Sequence, residues 1–556
     1  MKKSKKLIAL AIAILMCLAL LAACGGSDNG GGGGGGSDSE GGGGGGSTTP
    51  SLPTPDTAAP PVGQAVPAPT GDNVRFADEL VIIMDDMPVA NMNKFTPGST
   101  VPANMWSFGL IYDRLVYPTN EVGTYDSYIA TSWHTDDYQT FTFNLRDDVY
   151  FHNGDKFTTK DVLYTINLAK ESPGSPASNV WIHVDEAIAI DDYTLQLNLR
   201  TVNVDYLYSL ARPDAGFVNE RAISENPESG LWVGTGPYSL VEWVANNYSV
   251  FERNDNYWGE PPITRKLTMR YVPERAARAI MMMNGEADLC MKIAPEDMDM
   301  FEDNPDWTVF DIVLNNPTPL VFNMTDPLTS DWNFRMAVAS ALNRTELAIA
   351  RDGNYGLPAY GDGAYWGNYT EFRNTDIPMI PEDLDAARRY LDASPYNGET
   401  VEIIAAIAGN VRAMQALQMQ LARVGIETEI TTMESAAVPS YIAWENNQSQ
   451  LYIAGMPLTF SAYSTRNIYY PGMTANIATY TNPEIAELYD RVATELDVNA
   501  RKEMYLEIQR LAAEDIPYIN IYWIIETVVG VNGLDGINWG TDAFWDFRYI
   551  YMQVDD

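Results

Sequence analysis

Carboxylates, imidazoles and thiols are the side chains best able to do chemistry here, and their spacing argues against most of it. Asp147, Asp148, Asp155 and Asp161 fall close together, and paired carboxylates can serve as general acid and base. They surround an Asn153-Gly154-Asp155 turn and a helix start, where carboxylates are ordinarily solvated, so catalysis is not expected of them. His134, His152 and His183 lie far apart without a short-spaced pair, which predicts no His-built metal site. Cys17 and Cys24 sit near the start and only Cys290 lies beyond them, so no intramolecular disulfide is expected, and Cys290 reads as a buried thiol in an apolar strand. What remains is binding. With 32 Tyr and 13 Trp, rings such as Trp366, Trp444, Tyr463, Trp539 and Trp545, at loop or segment ends, offer faces for stacking on a solute, or else fill cores.

These residues need elements to hold them. A chain of 556 residues exceeds the roughly 250–300 that one core supports, so two or three domains are expected. The formal charge of −39 argues against nucleic acid or an anionic membrane face as a partner, because both would be repelled. Lys2, Lys3, Lys5 and Lys6 precede an apolar run closed by Leu21-Ala22-Ala23-Cys24, the form of a secretory signal ending in a lipobox. Cys24 is therefore expected to be lipidated and to anchor the protein to the outer face of the cell membrane. Residues 25–70, rich in Gly and then Pro, bury little and predict a disordered tether.

Beyond it, Glu79–Met84 reads as a buried strand and Met105, Phe108, Ile111, Tyr112 and Leu115 as a helix-like stretch. Phe141, Phe143 and Leu145 alternate as a half-buried strand, and Thr158/Thr159 caps the helix after them. Leu267–Val272, a helix after Pro273 with Ala276, Ile280 and Met283 on one face, and Ala287–Met291 form a βαβ unit. Asp331 caps a helix with Phe334, Val338, Ala341 and Leu342 buried; the run Leu320-Val321-Phe322-Asn323-Met324 before it, a second βαβ unit over Val401–Thr431, helices from Asn482 and Arg501, and a long apolar strand Tyr518–Val531 complete the pattern.

Gly234-Thr235-Gly236-Pro237-Tyr238 followed by Glu252-Arg253-Asn254-Asp255-Asn256-Tyr257-Trp258-Gly259 resembles the "GTGPY … ERN-x-x-YWG" segment of the oligopeptide/dipeptide-binding family of ABC-importer solute-binding proteins, solute-binding protein family 5. The run Tyr138–Val162, Gly285-Glu286-Ala287-Asp288 and Asp331–Arg344 resemble further motifs of that family, and the likeness spans about residues 78–556. It implies an α/β, bilobal, periplasmic-binding-protein-like fold with mixed sheets, three domains and a hinge between two lobes. The expected division is a signal peptide over 1–23, a lipidated Cys24 and tether over 24–72, domain I over 73–118, 233–325 and 520–556, an inserted domain II over 119–232, and domain III over 326–519.

In the resembled family the loop holding Asn91 and Asn93 borders the ligand, and many peptide-binding members carry an aspartate for the peptide ammonium in a "G-W-x-A-D-Y" segment. Here that segment contains Met456 and, at the aspartate's place, Thr459, which supplies no countercharge; Asp362 or Glu445 would have to substitute. The resemblance implies a monomeric binding protein without cofactor or catalysis. It would capture a small solute, an oligopeptide first and an oligosaccharide second, and deliver it to the permease and ATPase subunits of an importer. A secreted hydrolase or a non-transport surface receptor are the competing readings.

Overall fold

The computed structural model describes residues 75–85, 92–97, 102–119, 124–353, 356–359, 372–406, 411–433, 437–453, 462–539 and 545–554, without the side chains of 315, 316, 405 and 406. All of them lie in the compact unit Ala58–Asp556; the other unit, Met1–Thr57, and with it Cys24, lies outside the described residues.

Local signals set most element ends. Thr158 closes a capping box with Asp161 at the head of helix Thr159–Lys170, satisfying two backbone donors that would otherwise be orphaned. Asp331 accepts from the Phe334 amide at 2.9 Å to start helix Trp332–Ala341. Asn482 and Pro483 open helix Pro483–Val492, and Gly425, with a φ of 94° that disfavours other residues, follows helix Val411–Val424. Helix Pro102–Ile111 is apolar nearly all round and is buried accordingly.

One 11-stranded sheet runs through most of the chain. At one end the parallel strands Glu79–Met84, Lys266–Tyr271 and Leu289–Cys290 form the centre, extended by the antiparallel hairpin Tyr238–Val244 and Tyr248–Arg253. At the other end Val401–Ala406, Thr428–Met433 and Leu451–Ile453 form a second parallel set. Two long antiparallel strands, Trp307–Phe322 and Tyr518–Val531, join the two sets, and each set carries its own core. A separate antiparallel sheet of four strands, Ala130–His134, Thr140–Leu145, Thr194–Leu199 and Val184–Ala189, has a third core around Phe141, Phe143 and Trp181.

Strand Trp307–Phe322 contains Pro317 and Pro319, which stand beside the register shifts of its ladder, where a missing N–H is tolerated. One expectation is corrected. Helix Arg275–Met283 turns its expected apolar face outward, with Ile280 58 % and Met283 47 % exposed. Arg278, Ala279 and Met282 face inward instead, because the Arg278 guanidinium donates to the carbonyls of Val272, Pro273 and Lys292. Cys290 is fully buried, which pushes its thiol up to about 12.

Candidate functional site

Strand direction decides where this sheet is open to a ligand. Leu289–Cys290 pairs with Val529 and Gly530, and the chain continues toward the middle of the long ladder, where the Ile293 amide donates to Thr527 O at 3.1 Å. Leu451–Ile453 runs the opposite way from the far set, pairing Ile453 with Leu320, so its continuation also points to that middle. The carboxyl ends of both parallel sets thus converge on the ladder where its register shifts between Val313 and Pro317. Ligands of open α/β sheets bind at such carboxyl ends.

A charge cluster stands there. Asp85, directly after strand Glu79–Met84, holds Lys292 Nζ at 3.2 Å through Oδ2, while its Oδ1 is buried with no hydrogen-bond partner. Lys292 Nζ also lies 3.7 Å from Glu526 Oε1 on the long strand. Burial raises the pKa of Glu526, against the pull of Lys292. Arg278, 1 % exposed, ties down the Lys292 carbonyl at 2.8 Å and leaves its Nε without a partner. From the other body, Arg351 ends helix Arg344–Asp352, pairs with Asp352 and lies 5.2 Å over the Tyr522 ring, its Nε likewise unpartnered. Arg412 donates to the Arg351 carbonyl at 3.4 Å and lies 3.8 Å from Glu296, an ion pair linking the two bodies. Sequence reading missed this cluster, although one signal was available: Glu526 is the only charge in the apolar run Tyr518–Val531.

A second buried cluster shows what the motif residues do. Asp113, 1 % exposed, accepts from Tyr128 and Tyr257 hydroxyls at 3.0 and 3.1 Å and from Trp258 Nε1 at 2.7 Å. Arg548 pairs with Asp546 at 2.7 Å and donates to the Tyr128 hydroxyl, and Tyr117 donates to Asp546 at 2.5 Å. Gly234 and Gly236 let the crossover press on helix Pro102–Ile111: a Cβ would stand 2.0 Å from Ile111 O at the first and 2.4 Å from Leu110 O at the second. His152 reads the same crossover, accepting from the Gly234 amide at 3.2 Å while its Nε2 contacts Gly236 O at 2.9 Å. These residues tie the fold together. Three of the four clustered aspartates are likewise engaged locally: Asp148 pairs with Arg146, Asp155 with Arg221, and Asp161 closes the capping box of its helix.

Of the residues expected to line a site, Asn91, Trp366, Met456 and Thr459 lie outside the described residues, as does Asp362. Asn93 accepts from the Phe95 amide at 2.8 Å and so shapes its own turn. Trp444 is half-buried in the turn Trp444–Asn446, next to an exposed Glu445. Tyr463 is half-buried, its amide 3.3 Å from Asp205 Oδ2 and its ring 6.5 Å from Tyr489. Trp539 and Trp545 are turned inward: they are 6 % and 3 % exposed, meet edge to face at 5.2 Å, and pack with Phe310 and Trp106. Apolar burial under helix Pro102–Ile111 claims both rings as core.

Residues 124–478 match the profile of the bacterial extracellular solute-binding proteins, family 5. A nickel-binding periplasmic protein of Escherichia coli K12 is 29 % identical over 273 residues, 46 % of this chain, which spans about half of that relative at 51 %. A glutathione-binding protein of Pectobacterium atrosepticum is 25 % identical over 76 % of this chain and 84 % of its own length. Among solved structures, NikA from Brucella suis with Fe(III)-EDTA superposes with a TM-score of 0.75 at 21 % identity, covering 85 % of this chain and 99 % of that one. DppA from Helicobacter pylori with a bound peptide gives 0.71 at 22 % identity, covering 86 % and 99 %. The fold is the bilobal one of these binding proteins.

Proposed function

Because this chain belongs to the bacterial extracellular solute-binding proteins of family 5, we propose that it captures a small solute between its two lobes and presents it to the permease of an ABC importer. The observation that carries this reading is the convergence of two oppositely running parallel sets on the middle of two long strands. Strands Trp307–Phe322 and Tyr518–Val531 run from one set to the other, so solute contacts to both sides would favour a closure in which they bend. The domain division set out from the sequence goes with this reading, as does lipidation at Cys24, which would hold the protein at the outer face of the membrane.

The solute is an oligopeptide on this reading. A site with both carboxylate and guanidinium groups suits a ligand carrying both charges, and burial of Trp539 and Trp545 removes two of the rings that would stack on a sugar. Glutathione, the cargo named for one relative, is itself a tripeptide. A thermal-shift screen tests it: a peptide pool at 100 times its dissociation constant stabilises by about 2.7 kcal/mol. A shift with oligosaccharides and none with peptides would replace the peptide reading.

A further inference from the structure

We infer that Asp205 is a positioning residue for lobe closure: carried by the inserted domain, its carboxylate reaches the far lobe, accepts from the Tyr463 amide and holds the two lobes together before a solute arrives. The inference rests on the reading of the protein as two lobes about a cleft and on the domain division that goes with it.

Asp205 stands where a residue ordinarily caps its own helix, Tyr206–Leu210, yet its side chain makes no capping bond there. Its backbone is fixed all the same. Asn203 Oδ1 accepts from the Asp205 amide at 3.1 Å and the Asn203 amide donates to Tyr138 O at 2.9 Å, which ties the residue to the loop leading into strand Thr140–Leu145. The inserted domain is bound in turn to the near lobe through the Asp113 cluster and the Gly234 crossover. Across the cleft, Asp205 Oδ2 lies 3.3 Å from the Tyr463 amide. Tyr463 belongs to the helical turn Ala462–Thr465, whose first backbone donors find no acceptor within the turn, and it packs on the core that holds Tyr489 and Tyr505. A second sign of the crossing comes from the phenols. Burial, and after it the negative charge of Asp205, raises the pKa of Tyr125 on the near side and of Tyr505 on the far side, so one carboxylate stands close to both. Another contact between the bodies, Arg412 with Glu296 at 3.8 Å, joins two exposed side chains and is worth little. Asp205 is half-buried and meets a backbone group, and a carboxylate on a backbone N–H is among the stronger hydrogen bonds. Losing it lowers the closed fraction, and a solute then binds with its affinity reduced in proportion.

The test is X-ray scattering from the mature chain without solute, read beside calorimetry with a pool of dipeptides to pentapeptides. Asp205→Ala has a larger radius of gyration than wild type, and a saturating pool brings the two together. Its affinity for the pool falls about 3-fold or more, by the same factor for free and for acetylated N-termini, because the loss lies in closing and not in touching the solute. Asp205→Asn, which keeps an acceptor without the charge, falls between the two and carries the test should the first variant not fold. Equal radii in wild type and Asp205→Ala overturn the inference and leave solute capture standing, as does a loss of stability in urea with scattering unchanged. If no peptide binds either protein, the peptide reading falls and the radii alone decide the inference.

Discussion

Two buried charge clusters of the same molecule differ in how completely they are satisfied. Around Asp113 every carboxylate oxygen has a donor, supplied by Tyr128, Tyr257 and Trp258, and Arg548 is matched by Asp546. Around Asp85 one oxygen has none, and the nearby Arg278 and Arg351 each keep an Nε without a partner. A saturated network gains from the low dielectric around it and fixes one arrangement of the chain; an unsaturated one is costly until something completes it. The difference separates a cluster that ties the fold together from one that the fold leaves incomplete.

The comparison can be broken at several points. Removing the centre of the saturated cluster should cost most: Asp113→Ala leaves the buried donors of Tyr128, Tyr257 and Trp258 without their acceptor and is expected to lower stability by about 3–5 kcal/mol in urea unfolding. A loss under about 1 kcal/mol would mean that this cluster is as dispensable as the other. Gly234→Ala strikes the crossover that the same region braces, and a Cβ 2.0 Å from Ile111 O should cost about 1–3 kcal/mol by the same measurement.

Lys94 supplies a test by pH. It is fully buried, donates to the Gly216 carbonyl and lies 4.4 Å over the Tyr112 ring. Burial lowers its pKa from 10.5 to about 7, against the pull of Asp214. Between these values the unfolded chain holds a proton that the folded one has released, so stability is fully present above about 10.5 and is lost as pH falls to about 7. Wild type should therefore gain stability relative to Lys94→Met as pH rises through that window, read as the difference between their unfolding curves. A constant difference would show that the amine stays charged in its pocket.

The smallest effect on stability is expected at the unsaturated cluster. Glu526→Gln in the unliganded protein should change stability by less than about 1 kcal/mol, and toward a gain, because Asp85 still neutralises Lys292 and one buried charge is gone. A loss comparable with that of Asp113→Ala would place Glu526 among the residues that hold the fold.

Much of this architecture follows from short stretches of sequence. The Thr158 and Asp161 box, the caps at Asp331 and Asn482, and the alternation of Phe141, Phe143 and Leu145 were readable because each depends on neighbours within four residues. The paired glycine and Tyr-Trp-Gly motifs led to the family, and the contacts of Gly234, Tyr257 and Trp258 explain why such residues mark the fold and not its cargo. The same local logic misplaced the face of helix Arg275–Met283, because three carbonyls distant from the apolar stripe drew Arg278 inward. It could not rank Trp539 and Trp545 either, since a ring at a segment end looks alike whether solvent or Trp106 lies over it.

By itself, then, the sequence determined many of the strands and helices with their caps and the two βαβ units through local periodicity and turn chemistry, and its motifs pointed by resemblance to the family. Tertiary structure alone decided that Asp85, Lys292 and Glu526 meet while Asp113 closes with Tyr257 and Trp258. The reason is that strand direction and register, which no short stretch encodes, choose which distant side chains share one buried point and how many donors reach it.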